Sequence, residues 1–132
     1  MGCGSGILSI LADQMGASYI KAVDYDLAAI VNCRENFEIN QVSAAHDVVA
    51  GSIEKCEQDE PYQFVCANII RSSILTMLGS LLRLTADGGR LVLSGLLDKD
   101  EEAVSGALGE HGQDDFSIMC DEDWLTYSIR KR

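Results

Sequence analysis

Gly2-Cys3-Gly4-Ser5-Gly6, followed at once by Ile7-Leu8-Ser9-Ile10, is the stretch on which the reading of this chain turns. Three alternating glycines permit positive φ and a close backbone approach. The apolar run behind them predicts a helix whose N-terminal N–H groups face whatever the turn holds. Ile7, Leu8, Ile10, Leu11 and Met15 sit at helical spacing, and Gly16 ends the segment. The dinucleotide fingerprint G-x-G-x-x-G needs glycine at position 7, where Ile7 stands instead. The turn therefore suits NAD poorly and suits S-adenosylmethionine better, since that ligand has no pyrophosphate and presents a carboxylate and an ammonium.

Outward from the turn, short apolar runs alternate with longer helical ones, which predicts an α/β sheet fold. Tyr19-Ile20-Lys21-Ala22-Val23 reads as a strand. Asp26 suits the N-cap of a helix over 27–40, with Leu27, Ile30, Val31 and Ile39 as its expected buried positions. Strands follow over 47–50 and 63–67, separated by a polar connection that carries the only proline, Pro61. Residues 72–84 form a helical pattern with Ile74, Leu75, Leu78, Leu81 and Leu82. Asp87-Gly88-Gly89 is a turn signal ahead of a strand over 90–94. Asp98 can cap a helix running to about 109. The chain closes on two antiparallel strands, 116–120 and 124–130, around an acidic loop.

Four further residues complete the candidate site. Asp24 follows the first strand, twenty positions after Gly4, where a carboxylate can accept both hydroxyls of a ribose. Taken alone it is a turn or capping residue; the glycines upstream at this spacing favour the binding role. Ser52 and Ile53 lie where an adenine pocket would close, Ser52 toward the exocyclic amine and Ile53 over a ring face. Both types are also common in ordinary turns. Asn68 ends the 63–67 strand, at the edge where open α/β sheets bind ligands, and its alternative is a plain strand-to-helix turn.

Composition excludes several other functions. Hydrophobic residues make up 47% of the 132, enough for one buried core, and no apolar run reaches the roughly 18 residues of a membrane span. There is no secretory pattern at the start, so a soluble cytoplasmic protein is expected. Five scattered cysteines and two histidines form no ligand spacing, so no metal site is expected. A net charge of -11 would repel a nucleic-acid backbone, and Arg130-Lys131-Arg132 is too small a basic cluster to overcome it. Residues 98–123 hold ten carboxylates against Lys99 alone, read as a solvated acidic face or as attraction for a basic protein substrate.

The glycine turn with its helix, Ala22-Val23-Asp24-Tyr25-Asp26, Ala67-Asn68-Ile69 and Gly88 to Gly95 together resemble the ribosomal protein L-eleven (L11) methyltransferase family. Arg34-Glu35-Asn36 with Asn40, and the acidic loop before Trp124, are similar to it as well. The resemblance implies one Rossmann-like, class I S-adenosylmethionine-binding domain over 1–132, with a C-terminal antiparallel strand pair. It implies methyl transfer to lysine or N-terminal amines of a ribosomal protein. Gly2, Gly4 and Gly6 would line the methionine end of the cofactor, Asp24 would bind the ribose, and Ser52 and Ile53 would border the adenine. Asn68 would sit beside the transferable methyl. Asn68-Ile69-Ile70-Arg71 departs from the Asn-Pro-Pro-Tyr of enzymes that methylate nucleic acids or glutamine amides.

Two parts of the family pattern are expected to be missing: an N-terminal substrate-gripping domain and the central strand that feeds the glycine turn. Without that strand two inner strand edges stay unpaired, so the chain is expected to be unstable alone, to self-associate through those edges, or to be a fragment of a longer product. Two other functions stay open, a non-catalytic interaction module and a methyltransferase for another protein or a small molecule.

Overall fold

A computed structural model describes all residues, 1–132. Contacts gather into two compact units, Met1–Lys55 and Cys56–Arg132.

The first unit alternates helix and strand: α1 (Ile7–Gln14), β1 (Tyr19–Asp24), α2 (Leu27–Ile39) and β2 (Ala45–Ala50). β1 and β2 pair in parallel, with Tyr19 opposite Ala45 and Asp24 opposite Ala50. Parallel pairing needs a crossover, which α2 supplies. Asp26 caps that helix as its sequence suggests, accepting the Ala28 N–H at 2.9 Å. The buried face of α2 differs from the expected one. Ile30, Cys33 and Phe37 are buried, whereas Leu27, Val31 and Ile39 are exposed. Apolar residues lie on both sides of this helix, and the face carrying Cys33 and Phe37 packs with Ile20, Ala22 and Ala44. Asp13 ties the end of α1 to the entry of β2, accepting from the Ala44 N–H at 2.7 Å and the Ser43 N–H at 3.0 Å.

The second unit is a four-stranded sheet in the order β3 (Tyr62–Asn68), β4 (Thr85–Leu97), β6 (Trp124–Arg130), β5 (Phe116–Asp121), with α3 (Arg71–Leu84) and α4 (Glu101–Glu110) between strands. β3 and β4 are parallel; β4–β6 and β5–β6 are antiparallel. Buried side chains come from α3 (Ile74, Leu78, Leu81) and β4 (Leu91, Leu93, Leu96), with further ones from α4 and β6. Each such apolar side chain contributes roughly 1.5–3 kcal/mol relative to exposure. Tyr127, fully buried on β6, donates its hydroxyl to the Glu101 carbonyl at 3.1 Å. β1 has a strand partner on one side only, and so does β3.

Two local expectations change. Asp87-Gly88-Gly89 is no turn between elements: β4 starts at Thr85, and the four residues between Thr85 and Arg90 stand opposite the single residue, Gln63, between Tyr62 and Phe64. The extra residues form a bulge stitched to the C-terminal segment. The Gly88 N–H donates to Lys131 O at 2.9 Å, and the Lys131 N–H donates to Gly89 O at 3.1 Å. Asp98 begins a short 3-10 turn, and α4 starts at Glu101. Asp100 carries the anchoring role there. It is buried, accepts the Leu97 N–H at 3.0 Å and pairs with Arg71 at 3.0 Å, so one of the ten carboxylates is no part of a solvated face.

Candidate cofactor site

Gly2, Gly4 and Gly6 have φ of 68°, 52° and 83°, a conformation that other residues enter only at a cost. The Gly6 N–H donates to Cys3 O at 2.8 Å, which closes the turn, and Gly6 O then accepts from Ile10 as the first bond of α1. Gly6 is the N-cap and offers no side-chain acceptor, so the first-turn N–H groups have no side-chain cap. Those donors and the helix dipole favour an anionic group at the turn. Beneath the turn lies a floor from α2. A Cβ on Gly6 would stand 2.8 Å from Cys33 Sγ and 3.0 Å from Phe37 Cε1. At Gly4 a Cβ would meet nothing within 4 Å.

Asp24 is bound to this turn. One of its oxygens accepts the Gly4 N–H at 2.9 Å and the other accepts the Asp26 N–H at 3.0 Å. Its main-chain carbonyl accepts the Gly51 N–H at 2.9 Å, which brings the segment after β2 alongside. An ionised carboxylate has about four lone-pair sites, so two remain for ligand hydroxyls. Asp24 is only 8% exposed, while Tyr25 beside it is 85% exposed. Ser52 and Ile53 are half-buried and open the 3-10 turn that follows β2. The Ser52 N–H donates to Glu54 at 2.9 Å, and that bond helps hold the Glu54 carboxyl below its usual range.

The glycine turn, Asp24, Ser52 and Ile53 all belong to the first unit and gather where its two parallel strands end, the edge at which open α/β sheets bind ligands. Asn68 belongs to the second unit. It is exposed at the end of β3, and its Oδ1 lies 2.9 Å from the place a Cβ on Gly95 would take. Gly95, at φ 80°, therefore leaves the room that this carboxamide occupies. The Ile69 N–H donates to Ser94 O at 3.2 Å and fixes the chain beyond.

Sequence reasoning missed two supports of the turn. Asn36 donates its amide to Ser5 O at 2.8 Å, and Cys33 forms part of the floor. The first lay in the Arg34-Glu35-Asn36 stretch already singled out; the second had no signal beyond its place one turn along α2 from Ile30. A groove lined by Arg34, Phe37, Glu38, His46, Asp47 and Val48 contains none of the candidate residues. No group of three or more His, Cys, Asp or Glu is placed to hold a metal, and all five cysteines are free thiols. No helix is long and apolar enough to cross a membrane.

The family model for ribosomal protein L11 methyltransferase (PrmA) matches residues 1–132. A ribosomal protein L11 methyltransferase of Exiguobacterium sp. is 34% identical over 131 residues, covering 99% of this chain and 42% of that protein. The chain thus spans less than half of that relative's length. The crystal structure of ribosomal protein L11 methylase from Lactobacillus delbrueckii subsp. bulgaricus superposes with a TM-score of 0.87 at 25% identity, covering 99% of this chain and 67% of that one. A Streptococcus mutans protein solved in complex with SAH shares the fold, with a TM-score of 0.74 at 19% identity over 98% of this chain and 84% of that one.

Proposed function

The chain belongs to the ribosomal protein L11 methyltransferase family, and from that premise we propose that residues 1–132 act as the S-adenosylmethionine-binding, methyl-transferring domain of such an enzyme. The observation that carries the reading is the bond from Gly4 to Asp24, which joins the uncapped helix turn to a buried carboxylate with lone pairs to spare. The donor set suits the ligand: N–H groups for a carboxylate, a carboxylate for ribose hydroxyls, and a half-buried apolar side chain, Ile53, for a ring face.

When bound, S-adenosylmethionine supplies an electrophilic methyl group on a sulfonium. The residues of the chain bind and orient. Gly2, Gly4 and Gly6 let the backbone approach the methionine end, Asp24 fixes the ribose, and Ser52 and Ile53 border the adenine. Asn68 is assigned the alignment of the attacking amine through its carboxamide oxygen. A lysine amine has a pKa of about 10.4 and must shed its proton before attack. Transfer into a dry site beside a cation lowers that value, so proximity and orientation suffice and no dedicated base is required. The acceptor is proposed to be a lysine or N-terminal amine of a ribosomal protein, in the cytoplasm. A basic protein also suits a chain of net charge -11.

Calorimetric titration of S-adenosylmethionine into the 132-residue chain tests the reading. Binding on the order of micromolar Kd, about 8 kcal/mol, lost in Asp24→Ala, supports it. A folded chain that takes up no ligand removes it and leaves an interaction module as the better description.

A further inference from the structure

α1 turns its most apolar side away from the core. Ile10 and Ala12 pack against the cluster of Ile20, Ala22 and Phe37, and Asp13 binds the Ala44 N–H at the entry of β2. No residue of the helix is buried. Ile7, Leu8 and Leu11, with Met15 just past the helix end, are all exposed, Ile7 and Met15 the most at 69% and 80%. Met15 keeps the helical path, its N–H donating to Leu11 O at 3.0 Å. Ile7, Leu11 and Met15 therefore stand four residues apart in one row, with Leu8 beside them. The helical spacing read from the sequence is present, but the stripe it makes meets water.

We propose that this row is a self-association surface whose occupant is a second copy of the chain, the two α1 helices lying antiparallel about a twofold axis at Leu11. The row fits itself. Its apolar positions 7, 11 and 15 are symmetric about 11, so an antiparallel copy meets it in register. Leu11 then lies near Leu11 of the second copy, and Ile7 lies beside that copy's Met15, as a closed twofold contact requires.

Area and charge select the same occupant. The four side chains expose on the order of 500 Å², at the upper end of what a lone soluble domain leaves in water. Two such rows bury about 1,000 Å² together, the size at which a specific contact begins. Two chains of net charge -11 repel one another over most of their surfaces, so they can touch only where charge is absent. Asp13 is the one charged residue between Ser5 and Ser18, and it is turned toward β2 rather than into the row. An anionic membrane surface fits poorly, because α1 has no Lys or Arg to meet its headgroups and the whole chain is acidic. The pairing draws on none of the groups assigned to the cofactor, so it stands apart from that reading.

Sedimentation velocity of the 132-residue chain over a range of about 1–300 µM reads the association. The expected result is a reversible dimer that gives way to monomer toward about 1 µM, as suits so small a contact. Leu11→Glu and Leu11→Lys each set like charges across the axis and should weaken the dimer at least about a hundredfold. An equimolar mixture of the two should restore it, since opposite charges then face each other. Circular dichroism shows whether both variants fold. Should one not, intermolecular NOEs between labelled and unlabelled copies of the unaltered chain, expected between the methyl groups of Ile7 and Met15, read the same register. A chain that stays monomeric at about 300 µM overturns the proposal. So does a dimer that neither variant weakens, one that mixing fails to restore, or intermolecular NOEs confined to the strand edges of β1 or β3.

Discussion

Replacing Gly6 by alanine isolates the contact between the glycine turn and its floor. Two costs are separable. Holding a non-glycine residue at φ 83° costs about 1–2 kcal/mol. A methyl group 2.8 Å from Cys33 Sγ and 3.0 Å from Phe37 forces two buried side chains to move, which costs about 1–3 kcal/mol by analogy with overpacked cores. Together these remove roughly 2–5 kcal/mol from a domain whose whole stability is of order 5–15 kcal/mol. Gly4→Ala is the control. It meets the backbone cost at φ 52° but has open space around the new Cβ. The gain of about 0.4–1 kcal/mol from restricting the unfolded chain is common to both and cancels in the difference. Urea unfolding followed by circular dichroism should therefore place Gly6→Ala about 1–3 kcal/mol below Gly4→Ala. Adding Cys33→Ala to Gly6→Ala should recover part of that gap. Equal midpoints for the two single variants, or no recovery in the double variant, would refute the reasoning.

Asp24→Asn keeps the shape but sets an NH2 donor against one of the two N–H groups that the carboxylate oxygens accept and removes the charge, so S-adenosylmethionine affinity should fall at least about tenfold by calorimetry, with a lower urea midpoint. Asp100→Ala should destabilise by about 1–3 kcal/mol, since it leaves the Leu97 N–H without its acceptor; an unchanged midpoint in urea would show the buried carboxylate to be idle. Asp13 is held below the usual carboxylate range, first by the Ala44 N–H and further by the Ser43 hydroxyl and N–H. A depressed folded pKa gives stability that is complete above the unfolded value of about 3.9 and is lost as pH falls through the lower folded value. Asp13→Asn should therefore flatten the fall in stability below about pH 4, as read from unfolding midpoints at several pH values.

The glycine turn and the Asp26 cap were legible because each depends on residues adjacent in sequence. So did the alternation of helices and strands and the closing strand pair, whose patterns are local. Other features depend on distant partners. Asp24 clamps Gly4 across twenty positions, which turns an expected ribose ligand into a structural element of the turn as well. The Asp87-Gly88-Gly89 signal is locally a turn; only pairing with Lys131 makes it a bulge inside β4. In α2 the apolar residues surround the helix, so spacing alone could not say that Phe37 faces inward while Leu27 and Ile39 face out. Asp100 looked like one more surface acid because its partner, Arg71, stands 29 positions away.

S-adenosylmethionine is proposed to bind in the first unit, where β1 and β2 end. Backbone amide NMR of the 15N-labelled chain, titrated with that ligand, tests this most directly. Saturating shifts concentrated at Gly2–Gly6, Asp24–Asp26 and Gly51–Ile53 are the predicted result. Shifts confined to the groove of Arg34, His46 and Asp47, or a spectrum unmoved by ligand in a folded chain, would contradict it.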